Sequence, residues 1–347
     1  MTLDNRNIKL DLIRVISMFF VIMVHTLVKL FYSNNIFKIT MESILFTCNG
    51  MFFMLSGYFN LDKKITSKED YKKYYKNKLI KIIIPFIICS FFINTWNTYI
   101  IDHKTFDILR LLKEFYIKFM SGNISVHLWF MYPLTGCLLS APFLGKLFQK
   151  LSNYELNLIF KISIFWNIVS IYLTKDLGIN FSFNSWMLSS WSLFFFLGYY
   201  YKKVINENNK NKLYILGIIG LIITIVCRKV FGSNFNNAND LSIFYVFFTV
   251  ALFTFISNEI KINNKYFKNS IKYLAKYSFY VYLLHFNILN NIVLNIIKPS
   301  PSIFKLLLVA LITLIISLII SIFLDILIFK PLTEILQKNR TSKVIIH

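Results

Sequence analysis

The sequence predicts an all-α fold: a polytopic membrane helix bundle of about ten transmembrane helices, with both termini cytoplasmic. Three observations predict it. The 347 residues are 56% hydrophobic and include 37 Phe, with a mean hydropathy of +0.58, a composition foreign to a water-soluble domain. Ten mostly apolar runs approach the ~20 residues that a helix needs to cross a bilayer. They are 9–30, 40–60, 82–101, 126–145, 157–174, 184–201, 212–230, 241–258, 276–297 and 304–329. Finally, Lys and Arg concentrate in alternate loops. With the N-terminus inside, the inner segments carry 26 of the 38 basic residues and the outer segments 11, Arg14 lying within the first run. Such an excess orients a membrane protein.

The first run, Leu10–Leu30 (LDLIRVISMFFVIMVHTLVKL), follows basic residues as a signal peptide would. No small-residue cleavage site follows His25, so it reads as a retained helix. The second run ends in FFMLSGYF (Phe52–Phe59), and the charged, tyrosine-bearing 61–78 leads into the third, which opens KLIKIIIP (Lys78–Pro85). The outer loop 102–125 contains FDILRLLKEFYIKFM, amphipathic enough to lie along the outer interface. The fourth run opens HLWFMYPL (His127–Leu134). Lys161 and Arg228 shorten the fifth and seventh, although basic side chains near helix ends can snorkel. The eighth is uninterrupted, the ninth holds YVYLLHF (Tyr280–Phe286), and the tenth is followed only by a short basic tail ending at His347. The loops leave no room for a separate soluble domain, so residues 1–347 read as one transmembrane domain.

A formal charge of +22 would suit nucleic acid if it formed one face. It is dispersed in short clusters between apolar runs, so no nucleic-acid partner is expected. The four Cys show no paired spacing, which predicts neither a metal site nor a disulfide framework. Gly-rich phosphate loops are absent.

The residues that could carry chemistry begin in the first helix. Arg14 and His25 are eleven residues apart, within about 20° of one another around a helix and ~16 Å apart along it. Asp11 lies on the same stripe. Ionisable groups at membrane depth are costly and tend to be functional, although Asp11 and Arg14 could form an ion pair at the membrane edge with His25 a packing residue. By depth, His25, His127 and His285 collect toward the middle or outer half, and histidine is suited to proton transfer near neutral pH. An aromatic-belt position beside Trp129 accounts equally for His127, and a helix–helix hydrogen bond for His285. Lys78 and Lys81 read as topology signals that also contact anionic lipid, or as an anion site for a phosphorylated cofactor. Asp325, at the depth of Arg14, is expected to pair with Arg14 or Lys330.

These stretches resemble, in order, the motifs of the acyltransferase-3 family of integral membrane acyltransferases. LDLIR with ten residues between Arg14 and His25 is similar to the family's opening helix. The Ser56–Gly57 pair, the basic opening of the third helix, HLWF and the late-helix His285 follow. Lysine at 78 and 81 departs from the arginines common there and lacks their bidentate phosphate geometry. The resemblance implies transfer of an acyl group, usually acetyl, from cytoplasmic acetyl-CoA or another short acyl-CoA to a hydroxyl of an extracytoplasmic or lipid-linked carbohydrate. The Ile/Lys/Asn-rich composition suggests an AT-rich bacterial genome, so a bacterial plasma-membrane location is expected, with polysaccharide-assembly proteins as further partners and no metal. Arg14, Lys78 and Lys81 would bind the CoA phosphates or polarise the thioester. His25 would be general base or transient acyl acceptor, with His127 and His285 beside it and Asp11 orienting Arg14. Any second activity would need a separate partner. Physically, a transporter or flippase of a glycolipid or polysaccharide also fits ten helices with buried charges, and a purely structural or sensory module fits if Arg14 and His25 tolerate substitution.

Overall fold

A computed structural model describes residues 7–171, 188, 190–205, 210–232 and 242–338. Among them all regular structure is helical. The helices are α1 (Ile8–Leu30), α2 (Ile36–Leu45), α3 (Thr47–Asn60), α4 (Lys68–Lys78), α5 (Ile84–Trp96), α6 (Ile108–Met120), α7 (Met131–Lys150) and α8 (Asn153–Ile171). They continue as α9 (Trp191–Lys203), α10 (Lys210–Phe231), α11 (Ile243–Asn258), α12 (Lys265–Ile288), the single-turn α13 (Leu294–Ile296), α14 (Ile303–Leu324) and α15 (Lys330–Lys338). Widened π turns at Leu79–Ile83, Asn97–Ile101, Leu289–Val293 and Asp325–Phe329 join neighbouring helices into longer rods.

Seven of these rods are long and apolar enough to cross a membrane: Ile8–Leu30, Ile36–Asn60, Lys68–Ile101, Val126–Lys150, Lys210–Val230, Lys265–Ile296 and Ile303–Leu336. The chain is a multi-pass membrane protein. Three of the ten expected runs fall below that standard among the described residues. α11 has 16 residues and α9 has 13, whereas α8 has 19 but the more polar composition that Lys161 signals. The expected runs 157–174, 184–201 and 241–258 each extend partly outside the described residues. The outer loop contributes α6, whose one buried side chain is Leu111 and whose Leu109 is 77% exposed, while Phe115 and Phe119 pack against α5 through Phe91 and Phe86. That is the one-sided burial of an interfacial helix.

The core forms where α1 packs between α3, α12 and α14, and where α9 lies on α3. α9 is short but deeply inserted: every residue from Leu193 to Tyr200 is buried. Its approach to α3 is set by two glycines. A Cβ on Gly57 would stand 1.7 Å from the Phe195 carbonyl oxygen, and one on Gly198 would stand 1.9 Å from that of Met54. Without a strong hydrophobic drive in lipid, helix pairs gain most from such close backbone contact. Gly57→Ala should therefore force the helices apart and destabilise the protein by about 1–3 kcal/mol. Thermal unfolding in detergent checks this, with Gly136→Ala, where nothing lies within 4 Å of the added carbon, as the neutral control.

Below the α3–α9 crossing, Asp62 accepts from Lys202 at 2.7 Å and Lys203 at 3.0 Å. Partial burial pushes the Asp62 carboxyl up, but the two lysine hydrogen bonds outweigh it and hold the group below the usual carboxylate range. A depressed pKa stabilises fully above the unfolded value and is lost as pH falls through the folded one. Asp62→Asn should lose about 0.5–1 kcal/mol near neutral pH. The difference from wild type should shrink as pH falls through the lowered Asp62 range and vanish once the carboxylate is protonated in the folded protein, read from unfolding temperatures in acid.

Candidate active site

α1 is capped by Asn7, whose side chain accepts from the Lys9 and Leu10 amides. Asp11, Arg14 and His25 all stand in α1, which runs unbroken past them. Arg14 Nη1 donates to Asp11 Oδ1 at 2.8 Å, with the Asp11 side chain 5% exposed and that of Arg14 25%. The Arg14 guanidinium also lies over the Phe59 ring, 5.7 Å from its centroid. Eleven residues on, His25 meets two histidines from distant parts of the chain. Its ring centroid lies 5.3 Å from His285 and 6.4 Å from His127, and those two are 5.0 Å apart. Phe286 closes the group, stacked on His127 and edge-on to His25.

The hydrogen bonds fix how each ring presents its nitrogens. His127 sits in the 3-10 turn Val126–Phe130 that opens α7. Its Nε2 faces the Leu283 carbonyl at 3.0 Å, and its Nδ1 faces Ser125 Oγ at 3.0 Å. A carbonyl only accepts, so Nε2 carries the proton and Nδ1 accepts from the serine in neutral imidazole. His285 Nδ1 likewise donates to the Tyr282 carbonyl at 2.7 Å. That leaves the lone pair on His285 Nε2, a buried atom with no hydrogen-bond partner among the described residues. His127 and His285 are 2% and 0% exposed, whereas His25 is half-buried. Tyr282 ties the group together, since its hydroxyl donates to the His127 carbonyl while its own carbonyl holds His285. Both His127 nitrogens are engaged, so the three rings do not converge as a metal-ligand set.

A cavity of about 730 Å³ approaches this cluster from the opposite end of the bundle. Arg14, Lys81, Lys276 and Lys330 line its mouth with Asp325 and Glu334; Phe52, Phe130, Leu134 and Tyr282 line its far end. Phe52, Phe130 and Tyr282 contact one another ring to ring, and Tyr282 lies 5.8 Å from His127 and 5.9 Å from His285. The cavity thus stops at the residue that orients two of the histidines. Two π turns supply its wall, one carrying Lys81 and the other Asp325; such turns are rare and frequent at functional sites.

A family model, described as an acyltransferase domain, matches residues 7–325. The chain belongs to the acyltransferase-3 family. No curated protein and no solved structure matches it.

Of the residues singled out in this acyltransferase-3 chain, His25, His127 and His285 come together, and Asp11 and Arg14 pair at the cavity mouth. The two lysines of the third span separate. Lys81 lines the cavity, whereas Lys78 turns its ammonium over the Tyr74 ring at 5.3 Å, where Lys63 also sits at 5.2 Å. The expected partner of Asp325 is corrected: it pairs with Lys276 at 3.2 Å, because α14 packs along α12 and brings that lysine nearest. Lys276 and Tyr282 escaped sequence reasoning, and Lys330 entered it only as a possible partner of Asp325. The lysines read there as loop charges. Tyr282 was discoverable, since it precedes His285 by three residues and so shares its helix face.

Proposed function

We propose that the protein is an O-acyltransferase of the bacterial cell membrane that moves an acyl group, acetyl in the first instance, from cytoplasmic acyl-CoA to a hydroxyl of an extracytoplasmic or lipid-linked carbohydrate. Family membership supports acyl transfer. The observation that carries the rest is the cavity, cationic at its mouth, apolar at its far end, and stopping on the tyrosine that holds His127 and His285. The loop-charge asymmetry supports ten spans with both termini, and hence the Arg14 end, in the cytoplasm. Polysaccharide-assembly proteins would then be natural partners for the acceptor.

In this reading Arg14 and Lys81 bind the phosphates of the donor, with Lys78 and Lys63 adjoining. Arg14 stands ~16 Å along α1 from His25, too far to polarise a carbonyl attacked beside His25, so its task is anion binding. Asp11 fixes its orientation. His25, the half-buried ring of the three, takes the acceptor's hydroxyl proton as that oxygen bonds to the thioester carbonyl carbon. The carbon–sulfur bond then breaks and the departing thiolate takes up the proton. His127 and His285 position His25, and the free lone pair on His285 Nε2 offers a buried basic site next to it.

Thermal unfolding of detergent-purified protein with acetyl-CoA tests the donor. Saturation should raise the unfolding temperature of wild type by several degrees, equivalent to ~2.7 kcal/mol at a hundredfold excess over Kd, and Lys81→Ala should lose most of the shift. No shift at millimolar acetyl-CoA, with cooperative unfolding intact, would overturn the acyl-CoA reading in favour of glycolipid transport.

A further inference from the structure

At the far end of the bundle from Arg14, a second ionic cluster plays no part in this chemistry. Five residues separate the His25 end of α1 from α2, which carries Lys38 and Glu42 in its first two turns. Arg228 reaches them from the last turn of α10, which packs against α2. Arg228 Nη2 donates to Glu42 Oε2 at 2.5 Å, and Lys38 Nζ lies 3.9 Å from Glu42 Oε1. All three are buried: Arg228 is 8% exposed, Lys38 9% and Glu42 6%.

The cluster is unbalanced. Glu42 is the acid paired with both cations among the described residues, so two positive charges face one negative charge away from water. The Nε and Nη1 atoms of Arg228 are also buried without a hydrogen-bond partner among the described residues. A clamp between α2 and α10 would need one cation and would use the guanidinium fully. Burying a second cation, and leaving two guanidinium nitrogens unused, is costly unless another anion joins them.

We propose that Lys38 and Arg228 form a binding site for one further oxyanion, a phosphate ester. Glu42 sets the guanidinium's orientation, and the added anion brings the group to neutrality. The site lies within about 10 Å of its helix ends, toward the edge of the apolar spans rather than at their middle. Arg presents planar donors suited to phosphate oxygens, and Lys adds a point charge. Two sources carry this chemistry: an anionic phospholipid headgroup, or a phosphate on the acceptor. Only the second source rests on the acyltransferase reading. The test reads binding rather than transfer, so the two ideas fail separately.

The test is thermal unfolding of the full chain in neutral maltoside detergent, with glycerol 3-phosphate or short-chain phosphatidylglycerol added and phosphatidylcholine as the zwitterionic control. At saturation the unfolding temperature of wild type should rise by at least about 3 °C. A rise with glycerol 3-phosphate identifies a soluble or acceptor-borne ester, and one with phosphatidylglycerol alone identifies a lipid headgroup. Arg228→Gln and Lys38→Gln should each abolish the rise. Glu42→Gln should lower the starting temperature and then be rescued by the added phosphate, with a larger shift than wild type, which a purely structural ion pair would not show. Absence of any shift in wild type, or a shift retained in Lys38→Gln, would overturn the proposal, and Lys38→Gln decides it even if Arg228→Gln does not fold.

Discussion

His25→Ala should lower the turnover of acyl transfer by about 10²–10⁴, the usual contribution of a positioned acid–base group, while leaving acyl-CoA binding intact. The ring is half-buried and stands against His127, His285 and Phe286. Removing it opens space at the cluster without touching the cationic mouth. The check is paired: a transfer assay to a glycan acceptor, and the unfolding-temperature shift with acetyl-CoA. Loss of transfer with the shift retained assigns the step to His25. If His25→Ala transfers normally while His285→Gln does not, the base is the lone pair on His285 Nε2 instead. His285→Gln is informative because a glutamine can still donate to the Tyr282 carbonyl while offering no imidazole nitrogen.

Arg14→Ala should have the next largest effect, and of a different kind. It takes the guanidinium away from a carboxylate whose side chain is 5% exposed. Breaking a buried ion pair from one side costs about 3–5 kcal/mol, and the lower end applies because the Arg14 side chain is itself 25% exposed. The same change removes a cation from the cavity mouth, so the acetyl-CoA shift should disappear as well. The double variant Asp11→Asn/Arg14→Ala separates the two losses. It should recover much of the unfolding temperature, since no buried carboxylate loses its partner, yet still show no acetyl-CoA shift. Recovery of the shift along with stability would mean that Arg14 is structural only.

The neighbourhood of Arg14 shows why some of the site was legible and some was not. Its relation to His25 is intrahelical, fixed by 3.6 residues per turn, so eleven residues of sequence were enough to align them. The same local rule places Tyr282 under His285 and assigns Asp11 to Arg14. The meeting of His25 with His127 and His285 obeys no such rule. It depends on α12 lying along α1 and on a 3-10 turn directing His127 inward, and apolar periodicity specifies neither. Membrane depth had pointed to a shared layer, but depth is one coordinate of three.

Local chemistry thus determined the membrane class, the positions of the seven long apolar helices and the placing of Asp11, Arg14 and His25 on one helix, because each follows from apolar length or helical pitch. The tertiary structure decided which charges meet. Lys78 and Lys81 are three residues apart, yet Lys78 lies on Tyr74 and Lys81 lines the cavity, because the π turn Leu79–Ile83, which begins just after Lys78 and carries Lys81, shifts the helical phase. Asp325 takes Lys276, and Arg228, which reads in sequence as a flaw in an apolar run, finds Glu42 across 186 residues. Ion-pair partners in a bundle are chosen by which helices touch. That choice rests on packing details such as the Gly57 and Gly198 backbone contacts, which only the folded chain brings together.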